Sequence, residues 1–425
     1  MHTTNADVIL VGCGPVGSYL GWKLAQAGLH VIGLEKAEEG QTLSSIGLFH
    51  FEDIAFDHLD IPRPAPEKIF HRYPGMTIHA PDPSLYLEVT GVETCVMDLH
   101  TYISDMHALA QSAGVTIRRG TKVESIVREG GRVVGVIAKQ NEEMSEYRAP
   151  VIVDASGLAR VVRRYIPSMA FPNDQKFFSV YLEYWDNGAH QRHLGIHSYA
   201  GLNGWTAGYE GSWGIGIGQP ASLEATKRMH ADFAAKYYPG EKTVLETIAG
   251  VVPYAYSPPT FVDEGVVVLG DAGATNKPFN GEGIPSGSAL AKIAAEIIPA
   301  AVKAGGTRES LWEINRRYNA DQGAKFAFLH AMGETLLSLT LDDLTWTYRI
   351  GMVAAEDLRQ TFLDYEVRKK PAELLAMAGK LMRRPGLAYR YGRAIAKASR
   401  VSALVKHYPT PDDFPRWRQR FLRTI

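Results

Sequence analysis

The chain has only two cysteines, Cys13 and Cys95, in 425 residues. Two thiols cannot by themselves hold an iron–sulfur cluster or a cysteine-type zinc site. Cys13 lies inside a glycine turn, so no structural disulfide to Cys95 is expected, and the pattern suits a reducing cytoplasm. Long apolar runs are also missing. The most apolar helix, near Ile284 to Val302, carries Lys292 and Glu296, which marks it as buried rather than membrane-spanning. Met1 to Asp7 is too short and polar for a signal peptide. Net charge is −1, so no bulk attraction to nucleic acid follows. There is no HExxH motif, no evident Ser/His/Asp triad, no internal repeat and no low-complexity segment. His190 and His193 fall in a polar turn, where a solvated loop is the expected state, and no metal site is predicted.

What is present begins at Ala6. Val8-Ile9-Leu10-Val11 reads as a strand buried on both faces, as in a parallel sheet. The turn Gly12-x-Gly14-x-x-Gly17 follows, then a helix-period stretch from Ser18 to Ala27 that stops at Gly28. A second apolar run, Val31-Ile32-Gly33-Leu34, ends on Glu35. Gly12 permits the tight turn, Gly14 lets backbone approach a pyrophosphate, and Gly17 lets the helix pack on the strand. The helix start offers N–H groups and a positive dipole end. Glu35 stands about 20 residues on, where an acid can bind a ribose hydroxyl. The stretch binds an adenine dinucleotide, and by itself leaves open whether that is FAD or a nicotinamide cofactor.

A second stretch favours FAD. Gly270-Asp271-Ala272-Gly273 closes a buried strand, and Pro278 with Gly281-Glu282-Gly283-Ile284 opens a long helix. A carboxylate at a strand end can accept hydrogen bonds from a polyol such as ribitol. A helix start placed at a flavin N1–C2=O would stabilise the anionic reduced ring.

Between these stretches, 84–89 alternates like a strand, Met97 to Gly114 is helical, and 116–137 reads as a β-meander. Val151-Ile152-Val153-Asp154 is another buried strand. Residues 37–60 read as a loop and short helix. Residues 165–260 carry short aromatic and glycine-rich runs and read as a mixed sheet with a helix near 221–238. Residues 307–425 are helical. The fold class is therefore α/β: a Rossmann-type FAD-binding domain (1–60, 96–164 and 261–305), an inserted mixed β-sheet substrate domain (61–95 and 165–260), and a C-terminal helical region (306–425).

Gly12-Cys13-Gly14-Pro15-Val16-Gly17 with Glu35, Asp154-Ala155-Ser156-Gly157 with Arg160, and Gly270-Asp271-Ala272 with Pro278 and Gly281-Glu282-Gly283 resemble the FAD-dependent oxidoreductases of the para-hydroxybenzoate hydroxylase fold. Within that group the chain most resembles the geranylgeranyl reductase family. The resemblance implies FAD contacts along Gly12, Gly14, Pro15, Val16, Gly17, Glu35, Lys36 and Val123 at the ADP half. It implies Asp271 at the ribityl chain and Gly281, Glu282, Gly283 and Ile284 near the ring. It implies hydride transfer from reduced flavin N5 to C=C bonds of an apolar isoprenoid-type lipid, with electrons from transient NAD(P)H or a separate carrier protein. The sequence departs from the family in three places. Ser45 stands where the reductases commonly carry a cysteine, Trp205 alone remains of a YxWxFP motif, and Asp98-Leu99-His100 replaces an arginine at a helix start.

His50, in a segment expected to approach the flavin, is a candidate proton donor. Ser45, Trp205 and Tyr209 are further catalytic or substrate-lining candidates, the aromatics against the plainer reading of strand core. Two alternatives stay open: a monooxygenase or halogenase using a flavin hydroperoxide, against whose halogenase branch the missing WxWxIP signature counts, and a non-redox FAD-dependent prenyl cyclase. Residues 368–425 carry fifteen Lys/Arg against three Asp/Glu. With Trp417 and Phe421 nearby, this basic tail suits a membrane surface, an acidic partner, or packing on the acidic body. The expected location is cytoplasmic, with a peripheral membrane site as the variant.

Overall fold

The computed structural model describes the chain except residues 1, 42–46, 83, 172–175, 187–193, 200–201, 210–211, 279–280 and 367–368, together with the side chains of 199, 202–209, 212–213, 371 and 374. Four apolar residues in a row need burial on both faces, and the chain meets that need by stacking such runs side by side. In order these elements are β1 (His2–Asn5), β2 (Val8–Val11), α1 (Pro15–Gln26), β3 (Val31–Leu34), β4 (Leu48–Glu52), α2 (Ile54–His58), β5 (Ile69–His79), β6 (Tyr86–Asp98), α3 (Leu99–Ser112), β7 (Thr116–Arg118), β8 (Lys122–Glu129), β9 (Arg132–Gln140), β10 (Glu143–Arg148) and β11 (Val151–Asp154). There follow β12 (Phe177–Asp186), β13 (Leu194–Tyr199), β14 (Leu202–Tyr209), β15 (Ser212–Gln219), α4 (Leu223–Tyr237), β16 (Val244–Pro253), β17 (Val262–Asp263) and β18 (Val266–Val268). The remainder is helical: α5 (Ile284–Lys303), α6 (Arg308–Tyr318), α7 (Ala324–Leu336), α8 (Leu341–Arg349), α9 (Ala355–Asp364), α10 (Pro371–Leu381), α11 (Pro385–Lys406) and α12 (Phe414–Thr424).

Three sheets result. The six-stranded sheet runs β17-β18-β11-β2-β3-β7, parallel except for the β17 edge. β2 is central, and β2, β3 and β11 are buried along their whole length. α1, α3 and α5 cover one face through a core that includes Tyr19, Leu20, Tyr102, Ile103 and Leu290. The meander β8-β9-β10 forms a second sheet. β1 extends it by pairing parallel to β10. β1 is polar and part-exposed, held by backbone bonds that no hydrophobic period announces.

The eight-stranded sheet runs β16-β12-β15-β14-β13-β5-β6-β4. Its edge holds a departure from the sequence reading. Residues 48–52, read there as loop within the first unit, form β4 and pair antiparallel with β6. Phe49 and Phe51 alternate inward and pack on Tyr102, 5.2 and 5.7 Å between ring centroids, which binds this edge to α3.

Asp154, at the end of β11, organises the crossing to the next loop. Its fully buried carboxylate accepts from the backbone N–H of Ser156, Val162 and Arg163 at 3.1, 2.8 and 2.7 Å, and from the Ser156 hydroxyl at 2.6 Å. Asp154→Ala leaves those donors without an acceptor and is expected to destabilise the FAD-free protein by about 3 kcal/mol or more. The midpoint of urea unfolding measures it, and an unchanged midpoint would contradict this role.

Candidate active site

The turn after β2 has no spare room. Gly12 sits at φ +96°, and a Cβ there would lie 2.6 Å from the Ala155 carbonyl oxygen. At Gly17 a Cβ would lie 2.2 Å from the Gly12 oxygen. Gly14 is the contrast, because a Cβ there meets nothing within 4 Å. That open space faces the start of α1, which no side chain caps. Its leading N–H groups and dipole end are thus available to an anion.

Glu35 ends β3 and is buried. Its carboxylate accepts from the Cys13 N–H at 2.9 Å and the Ala37 N–H at 3.0 Å. Lys36 beside it is exposed. The Thr121 N–H donates to the Glu35 carbonyl at 2.8 Å, which brings the start of β8 and the buried Val123 to the same end of the sheet. Cys13 is a packing group. Its carbonyl accepts from the Ser18 hydroxyl at 2.8 Å and from His107 Nε2 at 2.7 Å. Its sulfur fills the space left by Gly33, and burial with the nearby Glu35 pushes the thiol pKa up.

α5 starts next to α1. A Cβ at Gly287 would lie 2.9 Å from Val16 Cγ2, so the first turns of both helices are in contact. Gly283 caps α5 without a side-chain bond. It faces Asp271, whose Oδ1 would lie 3.1 Å from a Cβ at that position. Burial raises the Asp271 carboxyl to about 6, opposed by the charge of Arg160.

Beside this helix start lies a buried charge cluster. His50 and Glu52 are two residues apart on β4 and so project to one side of the strand. Lys277 Nζ donates to Glu52 Oε1 and, at 2.8 Å, to Glu282 Oε2. The Lys277 and Glu52 side chains are 6% and 5% exposed. The rings of Tyr365 and Phe362, at the end of α9, stand 5.2 and 5.7 Å from Lys277 Nζ. Two carboxylates sharing one ammonium in a dry site cannot both ionise freely. Burial and Glu282 raise the Glu52 pKa, against the pull of Lys277, while Lys277 holds Glu282 below the ordinary value. Burial also lowers the pKa of His50, and its Nε2 is enclosed without a hydrogen-bond partner among the described residues.

The structure thus brings Gly12, Gly14, Pro15, Val16, Gly17, Glu35, Lys36 and Val123 to one end of the cleft, and Asp271 and Gly281 through Ile284 to the other. Glu282 joins His50 through the cluster. Ser45 lies outside the described residues. Trp205 and Tyr209 fall on β14, where Trp205 is in register with Ile196 and Gly216, and their side chains lie outside what is described. Sequence reading misses Glu52, Lys277 and Tyr365. The alternation of Glu52 with His50 is a signal for the first, and a lysine directly before Pro278 in an otherwise uncharged stretch is one for the second. Among the described residues no group of three His, Cys, Asp or Glu could hold a metal ion, and no helix is long and apolar enough to cross a membrane.

Two family models, both described as FAD dependent oxidoreductase, match residues 91–297 and 7–165. A digeranylgeranylglycerophospholipid reductase of Sulfolobus acidocaldarius is 25% identical, over 99% of this chain and 97% of its own. The digeranylgeranylglycerophospholipid reductase 2 of Methanococcoides burtonii is 28% identical, over 80% of this chain and 89% of its own. The chain is a flavoprotein oxidoreductase with geranylgeranyl reductase-like relatives. The fold agrees. A geranylgeranyl bacteriochlorophyll reductase-like protein of Thermoplasma acidophilum superposes with a TM-score of 0.76 at 18% identity, covering 92% of this chain and all of that one. A flavin-dependent brominase mutant superposes with a TM-score of 0.70 at 16% identity, covering 89% of this chain and 100% of that one.

Two outcomes follow for this flavoprotein. Gly14→Ala is expected to leave the stability of the FAD-free protein within about 0.5 kcal/mol of the parent, because the added carbon meets open space, yet to weaken FAD binding at least about tenfold. Thermal melting and flavin titration measure the two separately, and equal FAD affinity would refute the role of that space. The second concerns pH. The pKa of Glu52 is higher folded than unfolded, so the folded state keeps a proton that the unfolded state releases. Stability therefore falls as pH rises above the ordinary glutamate range and through the folded pKa, by up to about 1.4 kcal/mol per pH unit. Glu52→Gln in the FAD-free protein is expected to flatten the decline between about pH 5 and 8, and an unchanged slope in denaturant titrations would count against the shared proton.

Proposed function

We propose that this protein reduces carbon–carbon double bonds of an apolar, isoprenoid-type lipid, using FAD held across the two helix starts. Gly12, Gly14 and Gly17 with the start of α1, formed by Pro15 and Val16, would hold the pyrophosphate. Glu35, Lys36 and Val123 would border the adenosine, Asp271 the ribityl chain, and Gly281, Glu282, Gly283 and Ile284 the ring. The bound flavin, once reduced, supplies hydride. The electrons that reduce it come from transient NAD(P)H or a carrier protein.

The observation that carries the reading is the proton-holding cluster beside the Gly281–Gly283 loop. Saturating an isolated double bond takes a hydride at one carbon and a proton at the other. Glu52 is pushed toward the protonated form by burial and by the neighbouring Glu282, against the pull of Lys277. His50, neutral and with an enclosed Nε2, lies on the same side of β4 and can relay that proton. Tyr365 and Phe362 close the far side against water. The curated relatives, reductases by name and matched over most of this chain, support the substrate class. An apolar lipid has to be drawn from a membrane or a carrier, which fits peripheral attachment through the basic C-terminal segment.

The test is anaerobic. The FAD-loaded protein is reduced with dithionite and mixed with an unsaturated prenyl lipid while flavin absorbance and lipid mass are followed. The expected result is flavin reoxidation with a gain of two hydrogens per double bond. Glu52→Gln is expected to slow that reoxidation about 100-fold with FAD binding retained. Reoxidation only on admission of oxygen would instead identify a monooxygenase or halogenase. Lipid conversion without any flavin redox change would identify a cyclase.

A further inference from the structure

The basic tail folds into α11 and α12, and the two helices enclose a groove of about 1050 Å³. Arg390, Arg393, Lys397, Arg400, Arg420 and Arg423 line it, and among the described residues no Asp or Glu does. Some of these cations are already committed. Lys397 Nζ binds Glu334 at 2.8 Å and the Ile425 carbonyl at 3.0 Å, and Arg390 donates to the Ser338 carbonyl at 2.6 Å. Arg393, Arg420 and Arg423 have no ion-pair partner among the described residues, and all three are exposed. Several unpaired guanidinium groups around one cavity repel each other unless an anion lies between them. Their planar forks match phosphate oxygens in particular.

Its inner wall is apolar. Trp417, nearly buried and stacked on Phe421 at 5.1 Å, lines the groove and also a narrow slit of about 30 Å³ on its other side. Phe326, His330, Asn276 and Pro278 also line that slit. At the outer rim Tyr389 is 66% exposed. Leu375 and Met382, on and just after α10, are exposed to a similar degree, as suits side chains that meet lipid.

We propose that the α11–α12 groove binds the phosphate-bearing headgroup of an anionic prenyl lipid, one molecule at a time, with the start of its chain against Trp417. The proposal rests on the lipid-reductase reading above and adds to it where the polar end of the substrate is held. The groove selects for phosphate by charge and for an attached chain by the aromatic wall.

Calorimetry on the full-length, FAD-loaded protein tests it with farnesyl monophosphate, farnesol, inorganic phosphate, NADPH, and vesicles of phosphatidylglycerol. Farnesyl monophosphate is expected to bind more tightly than inorganic phosphate or farnesol. Combined Arg420→Ala and Arg423→Ala substitutions are expected to weaken its binding about tenfold or more and to leave farnesol binding unchanged. Melting temperature and flavin absorbance report that the variant is folded. Equal binding of farnesyl monophosphate by parent and variant overturns the proposal. So does inorganic phosphate or NADPH binding as tightly as the prenyl phosphate, which would make the groove a site for a free anion or the reductant. Vesicle binding without binding of the monomeric lipid overturns it too, in favour of a membrane-docking face. None of these readings depends on turnover. A bound but unreduced prenyl phosphate leaves the groove standing and removes the reductase reading, and reduction unaffected by the variant does the reverse.

Discussion

The rest of the structure depends on how little space remains where β2, β3 and β11 end together. Gly12 lies against the Ala155 backbone, Gly17 against the Gly12 carbonyl, and Gly33 against the Cys13 sulfur. The first two neighbours are main chain, so no rotamer change can relieve a clash there. The Cys13 peptide is fixed from both sides, its N–H by Glu35 and its carbonyl by Ser18 and His107. α1 is thereby aimed with its uncapped start at the cleft. α5 is aimed by the same means, through Gly287 against Val16 and Gly270. Close packing of glycines thus brings the uncapped starts of two helices side by side.

Charge is distributed unevenly along the chain. The surplus of basic side chains sits in the last sixty residues or so, where α11 and α12 present them around a groove. At the ring end of the cleft a single ammonium, Lys277, serves two carboxylates. A buried charge whose partner is removed is strongly destabilising. The three groups are therefore interdependent, and each comes from a different segment. Glu52 belongs to the edge of the eight-stranded sheet, Lys277 and Glu282 to the loop before α5, and the covering rings to the end of α9.

This also explains what could be read without coordinates. The parallel sheet, the glycine turn and Glu35 are legible because their determinants are local: four apolar residues, fixed glycine spacing, and an acid one strand later. Asp271 and the Gly281–Gly283 helix start are legible for the same reason. β4 was hidden because its partner β6 lies some forty residues on, and only two of its five residues, Phe49 and Phe51, alternate inward as aromatics. Glu52 and Lys277 were hidden because they are 225 positions apart, and the local signal that each carries does not say that the two meet. β1 carries no apolar period at all, and its place follows from the open edge of β10.

Fold alone does not separate a reductase from a brominase, since both kinds of protein superpose on this chain. The distinction has to lie in a few side chains facing the ring end of the cleft. A proton kept on a buried carboxyl at neutral pH is of direct use to a reaction that ends by protonating carbon. Keeping it there requires the sheet edge, the α5 loop and the helical tail to be docked at once, because water reaching Lys277 would let both carboxylates ionise. The helical tail is then more than a cover. By placing Tyr365 and Phe362 beside Lys277 it adds to the burial that raises the Glu52 pKa.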